Sequence, residues 1–435
     1  MRRFLIHIAV FCITLLLLWM FLTCTALIPN ESIVHNMKKS AASYGTVDAF
    51  NFENANYLNS VSDNYADCIL LSVSYYMGDG EPISAVLDSS YYRGEKDSIG
   101  VNEALLKTVS EDTKPDTDYS RYWHGMAAFV RIVHLFGDVE TVKLFGFVAI
   151  LSFALVTLGM LLKQGNIKSA IALFAAIICI QPWNLVLSME YQSPFVICFM
   201  LCPLYLYFER RNERILTILS VIGGTLTAFF DFLTCETVAI LIPVLLVISV
   251  RIEEKRFYDL KREVNLAFYC MVAFGIAWAA AFLSKWVIAS IFTGENKILE
   301  ALSSAQIHAA GKADSGAPEN TLVRILTAPL ANLTVLFYGS VRLDIPRVVL
   351  GLFLTVFVLG SIIYLFKKKT IETNRLFLLL SLGGIVILRY AVLNYHSYMH
   401  EFFTYRALVA PIFAIFASTL FCLEYKKEKK GGRRK

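Results

Sequence analysis

The chain has 435 residues, of which 57% are hydrophobic and only 17% charged, below the charge content of about 25% usual in soluble domains. That balance excludes an ordinary soluble domain. Nine cysteines, nearly all inside or at the ends of apolar runs and without paired spacing in a loop, frame neither a disulfide scaffold nor a zinc site. The formal charge of +5 would point to an acidic partner in a soluble protein, but here the placement of the charges matters more than their sum.

Taken in chain order, apolar runs approaching the ~20 residues needed to cross a bilayer predict helices near residues 4–28, 139–162, 168–188, 192–208, 215–231, 235–250, 266–290, 346–366, 376–394 and 407–423. Basic clusters recur after every second run: Arg2-Arg3, Lys163 with Lys168, Arg210-Arg211-Arg214, residues 251–262, residues 367–375 and the tail 426–435. Cytoplasmic loops retain lysine and arginine, so the fold class expected is an all-α polytopic membrane protein of about ten transmembrane helices with both termini in the cytoplasm. The first apolar run exceeds the ~7 to 15 residues of a signal-peptide h-region and reads as an uncleaved helix. The division expected is a first span (1–28), an extracytoplasmic segment with interfacial helices (29–137), helices two to seven (138–292), a second outer loop (293–345), helices eight to ten (346–423) and a basic tail (424–435). The tail reads as an anchor to anionic headgroups, not as a nucleic-acid patch.

Segment 29–137 carries 15 acidic against 8 basic residues and is too rich in aromatic and aliphatic residues to be disordered. Within it residues 56–77 read as a helix. Asp63 and Asp67 stand i, i+4 on that helix, which stacks two like charges with no structural gain. One reading makes one of them a general base while the other orients substrate or tunes its neighbour; the other reading is a solvated acidic face. A second cluster, Arg121, Tyr122, Trp123 and His124 with Arg131 following, suits a phosphate and a sugar ring, or else an aromatic belt with snorkelling arginine. Charges at the outer ends of spans are costly and mark functional sites by default. Glu190, Asp231, Glu236, Lys285, Arg389, His396, His400, Glu401 and Arg406 are such residues, with Tyr405 beside the last. Together with Asp63 and Asp67 they outline a polar cavity at one membrane face. His396 and His400 are i, i+4 apart, but the glutamate follows the second histidine, which is not the zincin pattern. No metal site is assigned, and a divalent ion is not excluded.

No P-loop, no GxSxG and no Gly-rich dinucleotide fingerprint is present, and no large cytoplasmic domain exists to bind a nucleotide. An enzyme of this layout works outside the membrane on a lipid-borne activated substrate. The layout of a first helix, a long outer loop with acidic residues and many further helices resembles the GT-C superfamily of membrane glycosyltransferases, which use polyprenyl-phosphate sugars. The motif content carrying the resemblance is thin: Asp63-Asn-Tyr-Ala-Asp67 in the loop, with Tyr122-Trp-His-Gly125, Asp231-Phe-Leu-Thr234 and Phe403-Thr-Tyr-Arg406. Many members carry adjacent acidic residues in this loop, whereas here three residues separate them. The resemblance implies an inverting displacement at the plasma membrane. A polyprenyl-phosphate-linked sugar would be the donor and a cell-surface glycan, teichoic acid or lipid the acceptor, with no cofactor. Asp63 or Asp67 would be the base, and Arg121, Arg131, Arg389 and Arg406 the candidates for holding phosphate. Alternatives are a lipid-linked-solute transporter or flippase, for which Gly223-Gly224 and Gly383-Gly384 would interrupt two helices, and a polysaccharide polymerase or ligase.

Overall fold

The computed structural model describes residues 2–45, 47–53, 57–94, 99–111, 113–311, 317–336, 345–367 and 372–431. Parts of the second outer loop (312–316 and 337–344), of the basic cluster at 367–375 and of the basic tail (432–435) lie outside them. The described chain is almost entirely helical: α1 (Arg2–Ala26), α2 (Asn30–Tyr44), α3 (Asn64–Tyr76), α4 (Pro82–Asp88), α5 (Val101–Ser110), α6 (Met126–Val133), α7 (Val139–Lys163), α8 (Ile167–Cys179), α9 (Ser193–Phe208), α10 (Arg214–Phe230), α11 (Val238–Glu253), α12 (Leu260–Thr293), α13 (Lys297–Ala310), α14 (Thr321–Val335), α15 (Ile345–Lys367), α16 (Thr373–Val392), α17 (Asn394–Met399), α18 (Glu401–Thr404) and α19 (Val409–Gly431). One antiparallel pair, β1 (Phe50–Phe52) with β2 (Val61–Asp63), sits between α2 and α3.

Among the described residues five helical stretches are long and apolar enough to cross a membrane: Phe4–Ala26, Val139–Lys163, Leu260–Thr293, Thr373–Val392 and Glu401–Cys422. Others, among them Ile167–Cys179, Ser193–Phe208 and Arg214–Phe230, are apolar but shorter. Leu155 and Ile276 are each 66% exposed on their helices, and side chains of that kind in such number belong against lipid. The protein is membrane-embedded and helical. At the centre stands α11, which is buried on nearly every side. A helix apolar all round survives only in such a position, and here α8, α9, α10, α12, α16 and α19 surround it.

Several local expectations change, each for a stated reason. The helix read over 56–77 begins only at Asn64, because residues 58–60 form a 3-10 turn and Val61–Asp63 pairs with Phe50–Phe52, Asp63 opposite Phe50. The helix read over 168–188 stops at Cys179. Gln181 is left-handed (φ 56°) and Pro182 follows it, and the residue before a proline is pushed out of the helical region. The second outer loop is not a loop throughout, since it holds α13 and α14. The paired glycines interrupt nothing, as α10 and α16 run through them unbroken. A Cβ on Gly224 would stand 2.2 Å from the Phe274 carbonyl oxygen, so that glycine serves the close approach of α10 to α12.

The buried residues form two clusters. One is the bundle of α7 to α12, α16 and α19. The other joins α1 to the segment 29–137, packing α2, α3, α5 and α6 against the C-terminal half of α12. Arg131 on α6 fixes this second cluster: its guanidinium donates to the carbonyls of Thr25 (2.9 Å), Ser74 (2.5 Å) and Ile28 and to Asn30 Oδ1 (3.1 Å). Lys285 on α12 does the same for α4, donating to the carbonyls of Val86 and Leu87, both at 2.8 Å. Unsatisfied carbonyls at a helix end attract a cation, so this buried charge is a cap.

Candidate functional site

The hairpin and the start of α3 position the first carboxylate. Asp63 ends β2 and caps α3, its Oδ1 accepting from the Ala66 N–H at 2.9 Å. An aspartate at a helix N-cap is favourable, so the i, i+4 pair is not the unrewarded repulsion expected from spacing alone. Asp67, in the first turn, is engaged on both oxygens. Ser188 Oγ (2.8 Å) and the Met189 N–H (2.9 Å) donate to Oδ1, and Tyr44 Oη (2.8 Å) donates to Oδ2, with Lys143 Nζ 3.3 Å away. Asp67 therefore ties α2, α3, α7 and the turn before α9 into one knot.

That knot delivers Glu190. The residue follows Ser188 and Met189 on the turn into α9, and its carboxyl is in hydrogen-bonding contact with Asp63. Both are buried, at 7% and 4% exposure. Burial first, then the negative charge of Asp63, raises the Glu190 pKa well above the usual carboxylate range. Burial also raises Asp63 to about 7, while the bonds from the Ala66 N–H and from Glu190 hold it down. The proton of the pair therefore resides on Glu190, which donates it to the Asp63 carboxylate. Asp231, just beyond α10, is the third member and interacts electrostatically with Glu190. Its Oδ1 accepts from the Thr234 hydroxyl and N–H. Glu190 Oε1 and Asp231 Oδ2 have no hydrogen-bond partner among the described residues.

Beyond Tyr191, the residue after Glu190, is Arg406, 1% exposed. Its guanidinium lies 4.3 Å from the ring centre of Tyr191 and 4.9 Å from that of Tyr405. Among the described residues it donates only to carbonyls, Phe402 at 3.2 Å and Asn184 at 3.5 Å. Nε bonds to nothing among the described residues, and no carboxylate there forms an ion pair with it. Tyr191 links the two sides, since its hydroxyl donates to the Val61 carbonyl (3.0 Å) on the strand that carries Asp63. Sequence reasoning missed Tyr191 and Lys143. The second was detectable as a lysine within a predicted span; the first had no signal beyond adjacency to Glu190.

The other expected residues divide cleanly. Arg389 is paired with Glu236 through Nε (3.0 Å) and Nη2 (3.1 Å) and also donates to the carbonyls of Leu233 and Thr234 and to Ser397 Oγ. These two residues shape the 231–236 turn that presents Asp231. His396 bonds the Leu233 carbonyl at 3.0 Å, and its ring centre lies 4.7 Å from that of His400, which stacks on Phe403. Glu401 is buried, and Tyr405 donates to the Ile180 carbonyl. Among the described residues no three His, Cys, Asp or Glu side chains gather as metal ligands.

On the remaining side is an aromatic box. Tyr119 and Tyr122 meet edge to face, Phe232 packs on Tyr122 and His124, and Arg121 lies 4.3 Å over Tyr119. Both tyrosines lie close enough to Glu190 to interact with it electrostatically. Arg121 Nε is without a partner among the described residues. Burial drives His124 down to about 3, so it is neutral, and its left-handed backbone (φ 54°) lets Nε2 meet the Tyr119 carbonyl. Trp123 is scaffolding, stacked on Phe229 and donating to the Ala281 carbonyl. Asp63, Glu190, Asp231 and Tyr122 thus lie together, with Arg121 against Tyr122 and Arg406 against Tyr191. Asp67, Trp123, Arg131 and Lys285 hold the frame, and Glu236 with Arg389 supports Asp231.

Compared with known proteins, the chain matches no family model, and neither a curated protein nor a solved structure matches it.

Proposed function

We propose that the chain is a GT-C-type glycosyltransferase of the plasma membrane that moves a sugar, with inversion, from a polyprenyl-phosphate donor to a cell-envelope acceptor on the extracytoplasmic face. In this reading about ten helices cross the membrane, both termini are cytoplasmic, and the acidic group opens outward. The observation that carries it is a buried guanidinium, Arg406, with no carboxylate of its own among the described residues, lying on Tyr191, whose hydroxyl bonds the strand that bears Asp63 and its partner Glu190. A buried cation left uncompensated is costly, and a phosphate supplies what it lacks through charge-assisted hydrogen bonds.

The chemistry follows from these groups. The Asp63 carboxylate takes the proton of the acceptor hydroxyl as that oxygen bonds to the anomeric carbon. The bond from that carbon to the phosphate oxygen breaks, and its electron pair leaves with the phosphate toward Arg406 and Arg121. Glu190 keeps its proton and fixes the direction of the Asp63 lone pair, while Tyr122 and its aromatic neighbours offer a platform for a sugar ring. Asp63 is favoured over Asp67 as base because both Asp67 oxygens are already engaged. The unbroken course of α10 and α16 removes the main sequence argument for a flippase. The test is transfer from a labelled polyprenyl-phosphate sugar in inverted and right-side-out vesicles. Asp63→Asn should abolish transfer while leaving expression unchanged, and full activity in that variant would falsify the assignment.

A further inference from the structure

Helix α14 is amphipathic in the wrong sense for water. Its inward face is polar: Arg324, Asn332 and Thr334 are buried, at 3%, 0% and 2% exposure, while Leu322 and Leu326 stand 64% and 63% exposed and Val323 42%. A helix on an aqueous surface turns its charged face out and its leucines in. The inward polar groups are all used. Arg324 Nε donates to Asn394 Oδ1 (3.0 Å), Asn332 Nδ2 donates to the Ser397 carbonyl (2.8 Å), and Asn332 Oδ1 accepts from the Thr404 hydroxyl (2.7 Å). Those bonds fasten α14 to α17 and α18, the segments that carry His396, His400 and Glu401, and its C-terminal carbonyl at Val335 accepts from Asn59.

The apolar surface continues beyond this helix. Leu299 and Leu302 on α13 are 64% and 52% exposed, and on the end of α12 just before it Ile291 and Phe292 are 73% and 55% exposed. Gly294, left-handed at φ 75°, turns the chain from one helix to the other. At 34 residues α12 is about 50 Å long, more than a hydrocarbon core of roughly 30 Å requires, and its exposed apolar side chains run to its last turn. At 14 and 15 residues, α13 and α14 are too short to span.

We infer that α14 lies in the hydrocarbon of the outer leaflet, not in the aqueous loop that the charge pattern predicts, and that it is the lipid-facing wall through which a lipid-borne substrate reaches the carboxyl cluster. The occupant of the exposed face is lipid acyl chain, because α14 packs against α16, a helix long and apolar enough to span. The substrate half of the inference rests on the proposed function; the immersion half does not.

The experiment uses the full chain in proteoliposomes. Leu322→Cys and Leu326→Cys, with wild-type labelling subtracted, should react at least about tenfold more slowly with a membrane-impermeant thiol reagent than Glu81→Cys on the exposed start of α4, and normally with a lipid-soluble reagent, as depth in hydrocarbon demands. Equal rates with the impermeant reagent overturn immersion, as does disulfide cross-linking of Leu326→Cys between two copies, which would make the face a contact between chains. Leu326→Asp should then raise KM about tenfold for a full-length polyprenyl donor and leave a short water-soluble analogue unaffected, since a carboxylate on the wall penalises only the substrate that crosses it. Equal effects on both donors overturn the access route. Absence of transfer from either donor in the wild type sinks the function proposed above while the labelling result still decides immersion.

Discussion

The two ends of the bundle each hold a fully buried arginine, and they treat it differently. Arg251, at the end where α9 and α11 finish and α10 and α12 begin, meets Glu209 (3.4 Å), Glu213 (2.7 Å) and Glu263 (2.7 Å). Arg406, at the other end, meets two aromatic rings and two carbonyls. The desolvation cost is similar at similar burial, but only at the first end does the fold offset it. The same contrast separates two aspartates one helical turn apart. Asp67 has Tyr44, Ser188, Met189 and Lys143, while Asp63 has one backbone N–H and a protonated neighbour. Where every polar group is matched within the chain, the group builds the frame; where it is not, the proposed function puts the substrate.

Removing the two aspartates separately is the strongest way to break this contrast. Asp63→Asn should lower the rate of transfer by about 10³-fold, within the range of a lost general base, with little change in thermal stability in detergent. Asp67→Asn should do the reverse. Losing the charge opposite buried Lys143 should cost about 3 kcal/mol, read as a lower unfolding midpoint, with residual activity in the folded fraction. If both variants stay folded and lose activity equally, the division between frame and site is wrong.

Legibility in the sequence followed the same line. The apolar runs gave away the helices because a bilayer admits little else, and charges at the outer ends of spans marked Glu190, Asp231 and Arg406 by their cost alone. What stayed hidden was pairing. Arg131, Arg389 and Arg406 look alike as residues, yet among the described residues the first bonds several carbonyls, the second a glutamate, and the third two carbonyls with its Nε left over, and the first two outcomes depend on partners far away in the chain, Thr25 and Glu236. The start of α3 was misplaced because Val61–Asp63 finds its strand partner at Phe50–Phe52, a tertiary gain that overrides the local helical pattern. The inverted α14 was missed because a stretch of leucines with one arginine and one asparagine does not declare which face turns inward.

Conservative replacement of the two arginines sharpens the comparison of the ends. Arg406→Lys keeps the charge but loses the planar fork and its stacking, and kcat should fall about 10²-fold, the size expected for one removed electrostatic contact to the leaving group. Arg251→Lys should leave kcat unchanged and lower only thermal stability, since its glutamate partners belong to the frame. Equal falls in kcat would mean that Arg406 also acts through the fold.

The smallest effect is the most specific to Asp63. With its pKa near 7, transfer should decline below about pH 7, approaching a tenfold loss per pH unit, because only the carboxylate accepts a proton. Glu190 donates a bond that holds this pKa down, so Glu190→Ala should shift the limb to higher pH, whereas a purely steric role for Glu190 leaves it in place. Stability runs the other way. Between the ordinary carboxylate pKa and about 7 the folded chain holds a proton at Asp63 that the unfolded chain has released, so stability falls as pH rises through that window. Asp63→Asn should remove that slope together with the activity limb. A variant that lost the limb but kept the slope would assign the titration to another buried carboxyl, with Asp231 the nearest alternative.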